Sequence, residues 1–538
     1  MSPSAGFGPI DQLANVFVTF IQWVLIGIPL IFIAGRLVAG QLRNWNLTWT
    51  WALPAVLLGG VLVRHDKTLG LSIAGVALRA CHLGSRWHGE DLRHGADLAE
   101  AARQRLSLST FVSRYLPQGA TRDRGWIRGA LLEVGRGESG QRVSIPYGRE
   151  SGCHTLVVGA TGSGKTVTQA WIAARLIESG HGAVIVDPKG DRLLRAEMQL
   201  AAEARGAPFL EWTPQGPHSY NPYAHGSHTE IADRALAGEE FTEPHYLRLA
   251  QRYLGQAVHA MHAAEAPVTP ASLMAHLDPR ELEVLARTLP EDPAGELQRY
   301  LDSFDERQRR ELKGIRDRLS ILAESDVRDW LEPAQERPGI DVHAAVREQA
   351  VVYFRLDADR RMLLTQMLAA AIISDLVVLS AALQQQPVPT VVLIDEFSAI
   401  AAQAVSRLFG KARGAGMSLI LGTQELADMR IAGEGLSEQV RGNLAALIAH
   451  RQSVPESAET IAATAGTRAT WVTTQQTADG LLGGGLTGKG SRTRGYEYLI
   501  HPNRIKELPT GWAAVITPGG PPPKIARIHH PEEAHRWA

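Results

Sequence analysis

The segment from His154 to Thr166 constrains the fold of this chain more than any other part of its sequence. It reads HTLVVGATGSGKT, in which a short apolar run leads into Gly-x4-Gly-Lys-Thr, and a helix-like stretch follows that stops near Gly180. A strand, a glycine-rich loop and a helix N-terminus in this order form a phosphate-binding loop. A chance glycine-rich turn is the alternative, but it does not explain the strand and helix on either side. The sequence therefore predicts a nucleoside triphosphate site.

The residues of this loop have different predicted tasks. Its glycines let backbone N–H groups wrap the phosphates, while Lys165 reaches the β- and γ-phosphates and the Thr166 hydroxyl is placed for Mg²⁺. ATP and Mg²⁺ are thus the expected cofactors. The predicted nucleotide-binding residues are Gly159, Ala160, Thr161, Gly162, Ser163, Gly164, Lys165 and Thr166.

Further apolar runs predict the other strands of the same domain. Helix-like segments separate these runs, which is typical of a parallel sheet covered by helices on both faces. The predicted fold class is therefore α/β, with a P-loop core. The runs lie at 183–191, 350–356, 390–397, 417–424 and 446–450.

Two carboxylates follow the predicted strand VVLI. Asp395 and Glu396 emerge at the strand's carboxyl end, at the edge where the phosphate loop also opens. Asp395 is predicted to hold Mg²⁺, and Glu396 to polarise the water that attacks the γ-phosphate. A solvated acidic pair is the alternative, which the complete phosphate loop makes the weaker interpretation.

Three more residues or segments bear on the chemistry. Gln424 ends the next apolar strand, where a γ-phosphate sensor would lie. Arg413 ends a helix-like segment, and it is predicted to act as an arginine finger on a neighbouring subunit, with a solvated basic face as the alternative. The segment Gly483 to Gly490 imitates a phosphate loop, but it has glycine in place of Ser or Thr and is predicted to be a flexible surface loop.

The N-terminal region is predicted to anchor the chain in a membrane. Residues 14–34 carry no charge, and about twenty helical residues span the roughly 30 Å hydrocarbon core of a bilayer. Residues 47–63 form a marginal second candidate that contains Pro54. A cleaved signal peptide is the alternative to the first span, but the first dozen residues lack Lys and Arg and include Asp11. Since nucleotide is cytoplasmic, two spans put both termini inside, whereas one span puts the N-terminus outside.

Composition adds few constraints. The 538 residues are too many for one core, and 55 basic against 56 acidic side chains mean that any DNA contact must be local. Two cysteines cannot build a disulfide framework, which fits a reducing compartment. Between 223 and 338 amphipathic helices replace the strand pattern. Their Arg and Glu runs are read as solvated faces, with partner docking as the alternative.

These features together predict five segments. They are a membrane anchor at 1–66, a membrane-proximal extension at 67–150, an ATPase motor at 151–222 and 339–518, an inserted all-α domain at 223–338 and a short tail at 519–538.

Several motifs together resemble the type IV secretion coupling proteins, the TraG/TraD-like ATPases that bring DNA to conjugative channels. The phosphate loop is shared by many ATPases, but the DPKG run at 187–190, the pair Asn221–Pro222 and the DEF…GTQ spacing are more specific. The resemblance extends from the N-terminal spans to about Pro518.

This resemblance implies a RecA-like motor with an all-α domain, assembled as a homo-hexamer with ATP sites between subunits. It also implies a multi-pass protein of the bacterial inner membrane with a cytoplasmic motor. The implied partners are single-stranded DNA, a relaxase or relaxosome, and the type IV secretion channel. Lys165, Thr166, Asp395, Glu396 and Gln424 match the family's nucleotide residues, and Arg413 takes the finger-like position. The long acidic tail of some relatives is missing, so we expect docking through the α-domain or another protein.

Two other functions remain open at this point. One is an FtsK- or HerA-type translocase of duplex DNA, although the FtsK linker and winged-helix end are not visible. The other is an ATP-dependent receptor that presents substrates without acting as a motor. Glu396 argues against the receptor, because a binding switch does not need an activated water.

Overall fold

A computed structural model describes most of the chain. Residues 94–124 of the predicted extension and 536–538 of the predicted tail lie outside the described residues. The chain divides into two compact units, one of residues 1–123 and 467–497 and one of residues 124–466 and 498–538. The described residues are 17–18, 21–45, 47, 49–93, 125–148, 151–238, 243–400, 402–432, 435–478 and 485–535.

The first unit begins with apolar helices. Trp23–Leu42 is continuously helical over 20 residues, has a mean hydropathy of 2.0 and is 11% buried, so it is long and apolar enough to cross a bilayer. This helix lies further along the chain than the predicted span 14–34, whose residues 14–16 and 19–20 are outside the described part. The apolar helix Trp49–Leu62 is shorter, so the second span stays a prediction. The bounds are a π-helical turn at Trp23–Gly27, α1 (Ile28–Asn44), a 3₁₀ turn at Trp49–Ala52, α2 (Leu53–Leu62) and α3 (Lys67–Arg93).

The second unit is built on a sheet of twelve strands. They are β1 (Ile127–Arg128), β2 (Leu131–Gly137), β3 (Arg142–Pro146), β4 (Thr155–Val158), β5 (Gly182–Asp187), β6 (Phe209–Trp212), β7 (Val351–Arg355), β8 (Thr390–Ile394), β9 (Met417–Thr423), β10 (Ala446–Ala449), β13 (Trp512–Ile516) and β14 (Lys524–Ile528). Their order in the sheet is β1-β2-β14-β13-β10-β4-β9-β8-β5-β7-β6, with β3 paired to β2. From β10 to β6 all neighbours are parallel.

An antiparallel group of strands continues this sheet beyond β10. Strand β13 pairs with β10, β14 with β13 and β2 with β14, all antiparallel. The motor boundaries predicted at 150 and 518 therefore cut through one sheet, because β1–β3 precede the first boundary and β14 follows the second. Short strands far apart in sequence carry no local signal of their pairing. The remaining predicted boundaries stay predictions.

Both faces of the parallel strands are buried, as the apolar runs predicted. Along β4, Leu156 and Val158 belong to one apolar core and Val157 to the other, because successive side chains point to opposite faces. Helices α4 (Lys165–Glu178) and α5 (Arg192–Arg205) supply the core that contains Val157. Helices α13 (Met362–Ala382) and α15 (Ala402–Ala412) supply the other. The predicted α/β fold class is confirmed.

The inserted region consists of helices. Between 223 and 338 the described residues include no named strand. A buried ion pair, Arg234 to Asp375 at 3.0 Å, ties the first of these helices to α13. Asn221 of the Asn-Pro pair has a structural task, because its Nδ2 donates to the Val268 carbonyl at 2.8 Å. The helices are α6 (His228–Ala235), α7 (Pro244–Ala263), α8 (Pro270–His276), α9 (Pro279–Ala286), α10 (Glu291–Asp302) and α11 (Glu306–Ala323), with a 3₁₀ turn at Arg328–Trp330.

A two-stranded hairpin, β11 (Thr467–Ala478) and β12 (Gly485–Tyr498), stands outside the main sheet. The predicted flexible loop Gly483–Gly490 was wrong for residues 485–490, which lie in β12, since strand pairing overrides the glycine content. The remaining helices are α12 (Val342–Arg347), α14 (Phe397–Ile400), α16 (Leu426–Ala432), α17 (Leu436–Gly442), α18 (Pro455–Ala465), α19 (Pro502–Lys506) and α20 (Pro531–His535).

Candidate active site

The glycine-rich segment forms a tight loop between β4 and α4. Gly162 and Gly164 have φ of +73° and +110°, a region that side chains rarely adopt. A Cβ on Gly159 would lie 2.4 Å from Ser163 Oγ and 2.8 Å from His450 Cβ. Within the described part of the chain, the buried Ser163 Oγ has no hydrogen-bond partner. The loop thus has the curvature and an unused hydroxyl that suit a polyphosphate.

The two carboxylates after β8 reach the first residue of α4. Lys165 Nζ lies 2.6 Å from Glu396 Oε1 and 3.2 Å from Asp395 Oδ1, and all three side chains are buried. The residues that the sequence singled out at positions 165, 395 and 396 are therefore in direct contact. They meet because β4 and β8 are parallel, which places the ends of both strands at one edge of the sheet.

Strand β9 lies between β4 and β8 and brings Gln424 to the same edge. Gln424 Nε2 donates to Glu396 Oε1 at 3.2 Å, and Thr161 Oγ1 donates to Gln424 Oε1 at 3.5 Å. On the other side, Gln169 Nε2 donates to Asp395 Oδ1 at 3.3 Å. Gln424 thus connects the phosphate loop to Glu396.

Glu396 is ionised in this environment. Burial raises its pKa, but the charges and hydrogen bonds of Lys165 and Lys189 outweigh burial and leave the pKa below its ordinary value. Its backbone has φ of +48°, an uncommon conformation for a residue with a side chain. A charged carboxylate held in a strained position is typical of functional sites.

Sequence reasoning missed His450, which follows β10. Its Nδ1 lies 3.0 Å from the Trp512 carbonyl and its Nε2 2.8 Å from Thr168 Oγ1. Burial first, with the charge of Lys165, lowers its pKa to about 4, so the ring is neutral at physiological pH. A neutral ring that donates from Nδ1 must accept from Thr168 at Nε2. Only the pairing of β10 with β4 reveals this contact.

A turn before β13 also contacts the phosphate loop. Gly511 N donates to the Ser163 carbonyl at 2.9 Å, and Thr510 Oγ1 donates to the Gly162 carbonyl at 3.2 Å. Together with His450, this turn fixes the outer side of the loop. The sequence gives no signal for it, because more than 340 residues separate the partners.

Arg413 lies elsewhere in the molecule. Its carbonyl accepts from Gly152 N at 3.0 Å and from Gly416 N at 3.2 Å, just before β4 and β9 begin. The exposed Arg413 is therefore at the amino ends of the parallel strands, opposite the phosphate loop. Within one chain it does not join the other predicted site residues, so any contact with the γ-phosphate needs a second chain.

The residues at the carboxyl edge fit ATP with Mg²⁺. The Thr166 hydroxyl and the Asp395 carboxylate are the oxygen ligands that Mg²⁺ prefers, and it usually takes only one or two carboxylates from protein. Among the described residues, no group of three or more His, Cys, Asp or Glu side chains could hold a metal ion.

The family of the chain follows from comparison with known proteins. The model of a family described as the type IV secretion-system coupling protein DNA-binding domain matches residues 139–529, well over half of the chain. The chain belongs to this family. No match was found among curated protein sequences.

Solved structures agree with the fold of this coupling protein. The bacterial conjugative coupling protein TrwBdeltaN70, in its unbound monoclinic form, is 16% identical, with a TM-score of 0.51 over 76% of this chain and 91% of that one. The plasmid coupling protein TrwB in complex with the GTP analogue GDPNP is 17% identical, with a TM-score of 0.50 over 72% and 88%. At these identities the likeness shows the fold alone.

Family membership confirms the resemblance that the motifs indicated. The matched region begins between β2 and β3 and ends just after β14, so it includes β3 and β14, two strands that lie outside the predicted motor boundaries. The coupling protein also has an N-terminal apolar helix that suits a membrane anchor.

Proposed function

We propose that this coupling protein is a membrane-anchored ATPase that recruits single-stranded DNA, or a relaxase–DNA complex, and drives it into a type IV secretion channel. The observation that carries the proposal is the contact of Lys165 with Asp395 and Glu396 beside the phosphate loop. A purely structural ion pair would not need a glycine-rich loop next to it, with a buried hydroxyl that has no partner among the described residues.

The chemistry follows from the positions of these groups. Lys165 would exchange its carboxylate partners for phosphate oxygens when ATP binds, while the loop amides hold the β-phosphate. Thr166 and Asp395 would hold Mg²⁺, which supplies positive charge against the phosphate oxygens. Glu396, ionised and no longer paired with Lys165, would accept a proton from the attacking water. Gln424 would contact the γ-phosphate or that water.

The assembly is part of the proposal. Arg413 is exposed at the edge opposite its own phosphate loop, so it would serve the site of a neighbouring subunit in a ring, and a homo-hexamer satisfies this requirement. An inner-membrane position with two spans and a cytoplasmic motor places the ATP site where nucleotide is available. No observation favours duplex translocation or a receptor without hydrolysis.

The test is ATP hydrolysis by the full chain in detergent micelles, with single-stranded DNA, duplex DNA or none. We expect Mg²⁺-dependent hydrolysis that single-stranded DNA stimulates more than duplex DNA, and DNA binding that weakens with salt. Lys165→Ala should abolish hydrolysis and DNA transfer between cells while membrane insertion stays normal. Stimulation by duplex DNA alone would support duplex translocation. A folded, ring-forming wild type without hydrolysis would support the receptor.

A further inference from the structure

Lys189 contacts the same carboxylate oxygen as Lys165, but the proposed mechanism gives it no task. Its Nζ lies 2.8 Å from Glu396 Oε1, which Lys165 Nζ approaches to 2.6 Å and Gln424 Nε2 to 3.2 Å. The side chain of Lys189 is 47% exposed, whereas that of Lys165 is 8% exposed. One oxygen thus has two ammonium partners from different elements.

A rigid turn holds Lys189 in this position. Asp187 Oδ1 accepts from the backbone N–H groups of Lys189 and Gly190, each at 2.9 Å, and its Oδ2 accepts from Asp191 N at 2.6 Å. The Tyr353 hydroxyl also donates to Asp187. Gly190 has φ of +72°, and a Cβ there would lie 2.5 Å from a side-chain nitrogen of Arg355. The DPKG run therefore forms a turn that fixes the backbone of Lys189.

In the part of the chain that the structure describes, few charged groups surround Glu396. Lys165 faces it from α4, Lys189 from the turn after β5, and Asp395 precedes it in the chain. Asp359, after β7, is close enough to act on Lys189. When phosphate takes Lys165, the contact of Lys189 with the Glu396 carboxylate remains.

We propose that Lys189 is a positioning residue that keeps the Glu396 carboxylate in place while Lys165 contacts the phosphates of ATP. This inference rests on the proposed hydrolysis of ATP. Lys189 acts through Glu396 and not on the phosphate or the water. The side chain of a base must hold its position, and one fixed ammonium at 2.8 Å provides this.

The experiment compares Lys189→Met, Lys189→Arg and wild type as full chains in detergent micelles. Hydrolysis of ATP with Mg²⁺ is measured over a range of ATP concentrations, so that kcat and KM are obtained separately, and binding is measured with a fluorescent ATP analogue. Lys313→Met is the matched control, because Lys313 is an exposed lysine on α11, away from the site. Thermal unfolding shows that each variant is folded.

For Lys189→Met we expect kcat to fall by about 100-fold, since a displaced base costs roughly that factor. Binding of the analogue should stay within twofold of wild type, Lys189→Arg should recover most of the rate, and Lys313→Met should match wild type.

Two results would overturn the inference while the proposed function stands. Wild-type kcat in a folded Lys189→Met chain would show that Lys189 is dispensable. A large loss of analogue binding would make Lys189 a phosphate ligand instead. Absence of hydrolysis in the wild type would remove the proposed function, and this inference with it.

Discussion

The two edges of the parallel sheet both carry a basic residue and a buried histidine, but only at the carboxyl edge do these lie beside a phosphate loop of the same chain. At the carboxyl edge, Lys165 and Gln424 both contact Glu396. At the amino edge, Arg413 is exposed, and its backbone carbonyl accepts hydrogen bonds from the segments that lead into β4 and β9. A buried histidine lies at each edge, His450 at the first and His154 at the second.

The difference between Lys165 and Arg413 shows that the role of a basic residue depends on the groups that the fold places beside it. The carboxyl ends of β4, β9 and β8 converge on the phosphate loop, so the residues after these strands form a site within one chain. The amino ends of the same strands lie at the opposite edge of the sheet, away from the phosphate loop. Arg413 can therefore contribute to hydrolysis only through a neighbouring copy.

The largest expected effect concerns the carboxyl edge. Glu396→Gln keeps the size of the side chain but removes the carboxylate that accepts the proton, so ATP should still bind while hydrolysis falls by about 10³- to 10⁴-fold. Single-turnover hydrolysis and analogue binding by the full chain measure both quantities. Unchanged hydrolysis in the variant would move the base to another residue and weaken the contrast between the edges.

A substitution at the amino edge should reduce hydrolysis less, and its effect should depend on the neighbouring subunits. Arg413→Ala should reduce hydrolysis by about 10³-fold, the lower limit for an arginine finger. Chains with Arg413→Ala are then mixed with chains carrying Lys165→Ala. If the arginine acts in trans, some interfaces combine an intact loop with an intact finger, and part of the activity returns. A mixture no more active than its components would contradict a role between subunits.

The smallest effect concerns stability at acidic pH, to which both edges contribute. Burial is the first cause that lowers the pKa of His154 and of His450 to about 4, with Arg413 and Lys165 as the respective nearby charges. The folded pKa lies below the unfolded value near 6.5, so each histidine stabilises the fold above pH 6.5. Between about pH 6.5 and 4 the unfolded chain binds more protons, and about 1.4 kcal/mol is lost per pH unit and histidine.

The measurement is the unfolding temperature from pH 7.5 to 4.5 for wild type, His154→Asn and His450→Asn. Each variant should lose less stability on acidification than wild type, whatever its stability at pH 7.5. Arg413→Ala should change the acid dependence only through His154. Parallel curves for all four proteins would show that these histidines do not govern acid unfolding.

Much of the site could be predicted because its residues follow strands in recognisable patterns. The apolar run before Asp395 and the one before Gln424 both predict strand ends, and parallel strands end at one edge. Lys189 was visible only as part of a family motif, since its contact with Glu396 spans 207 positions. No sequence pattern indicated that His450 and the turn at Thr510–Gly511 contact the phosphate loop or the helix that follows it.

Two apolar helices show the same limit for the fold. Trp23–Leu42 and Met362–Ala382 have mean hydropathies of 2.0 and 2.1, yet the first is 11% buried and the second 72% buried. Composition and length suit a membrane in both cases. The second helix packs on the sheet and belongs to the core, so its neighbours and not its sequence decide its environment.

The sequence by itself determined the phosphate loop, the parallel strands and the candidates for metal ligand, base and sensor, because these depend on local periodicity and spacing. Tertiary structure alone decided that β2 and β14 complete the sheet, that Lys189 and Lys165 share one oxygen of Glu396, and that Arg413 lies at the opposite edge. Such relations depend on strand order, and strand order is set by packing among segments hundreds of residues apart.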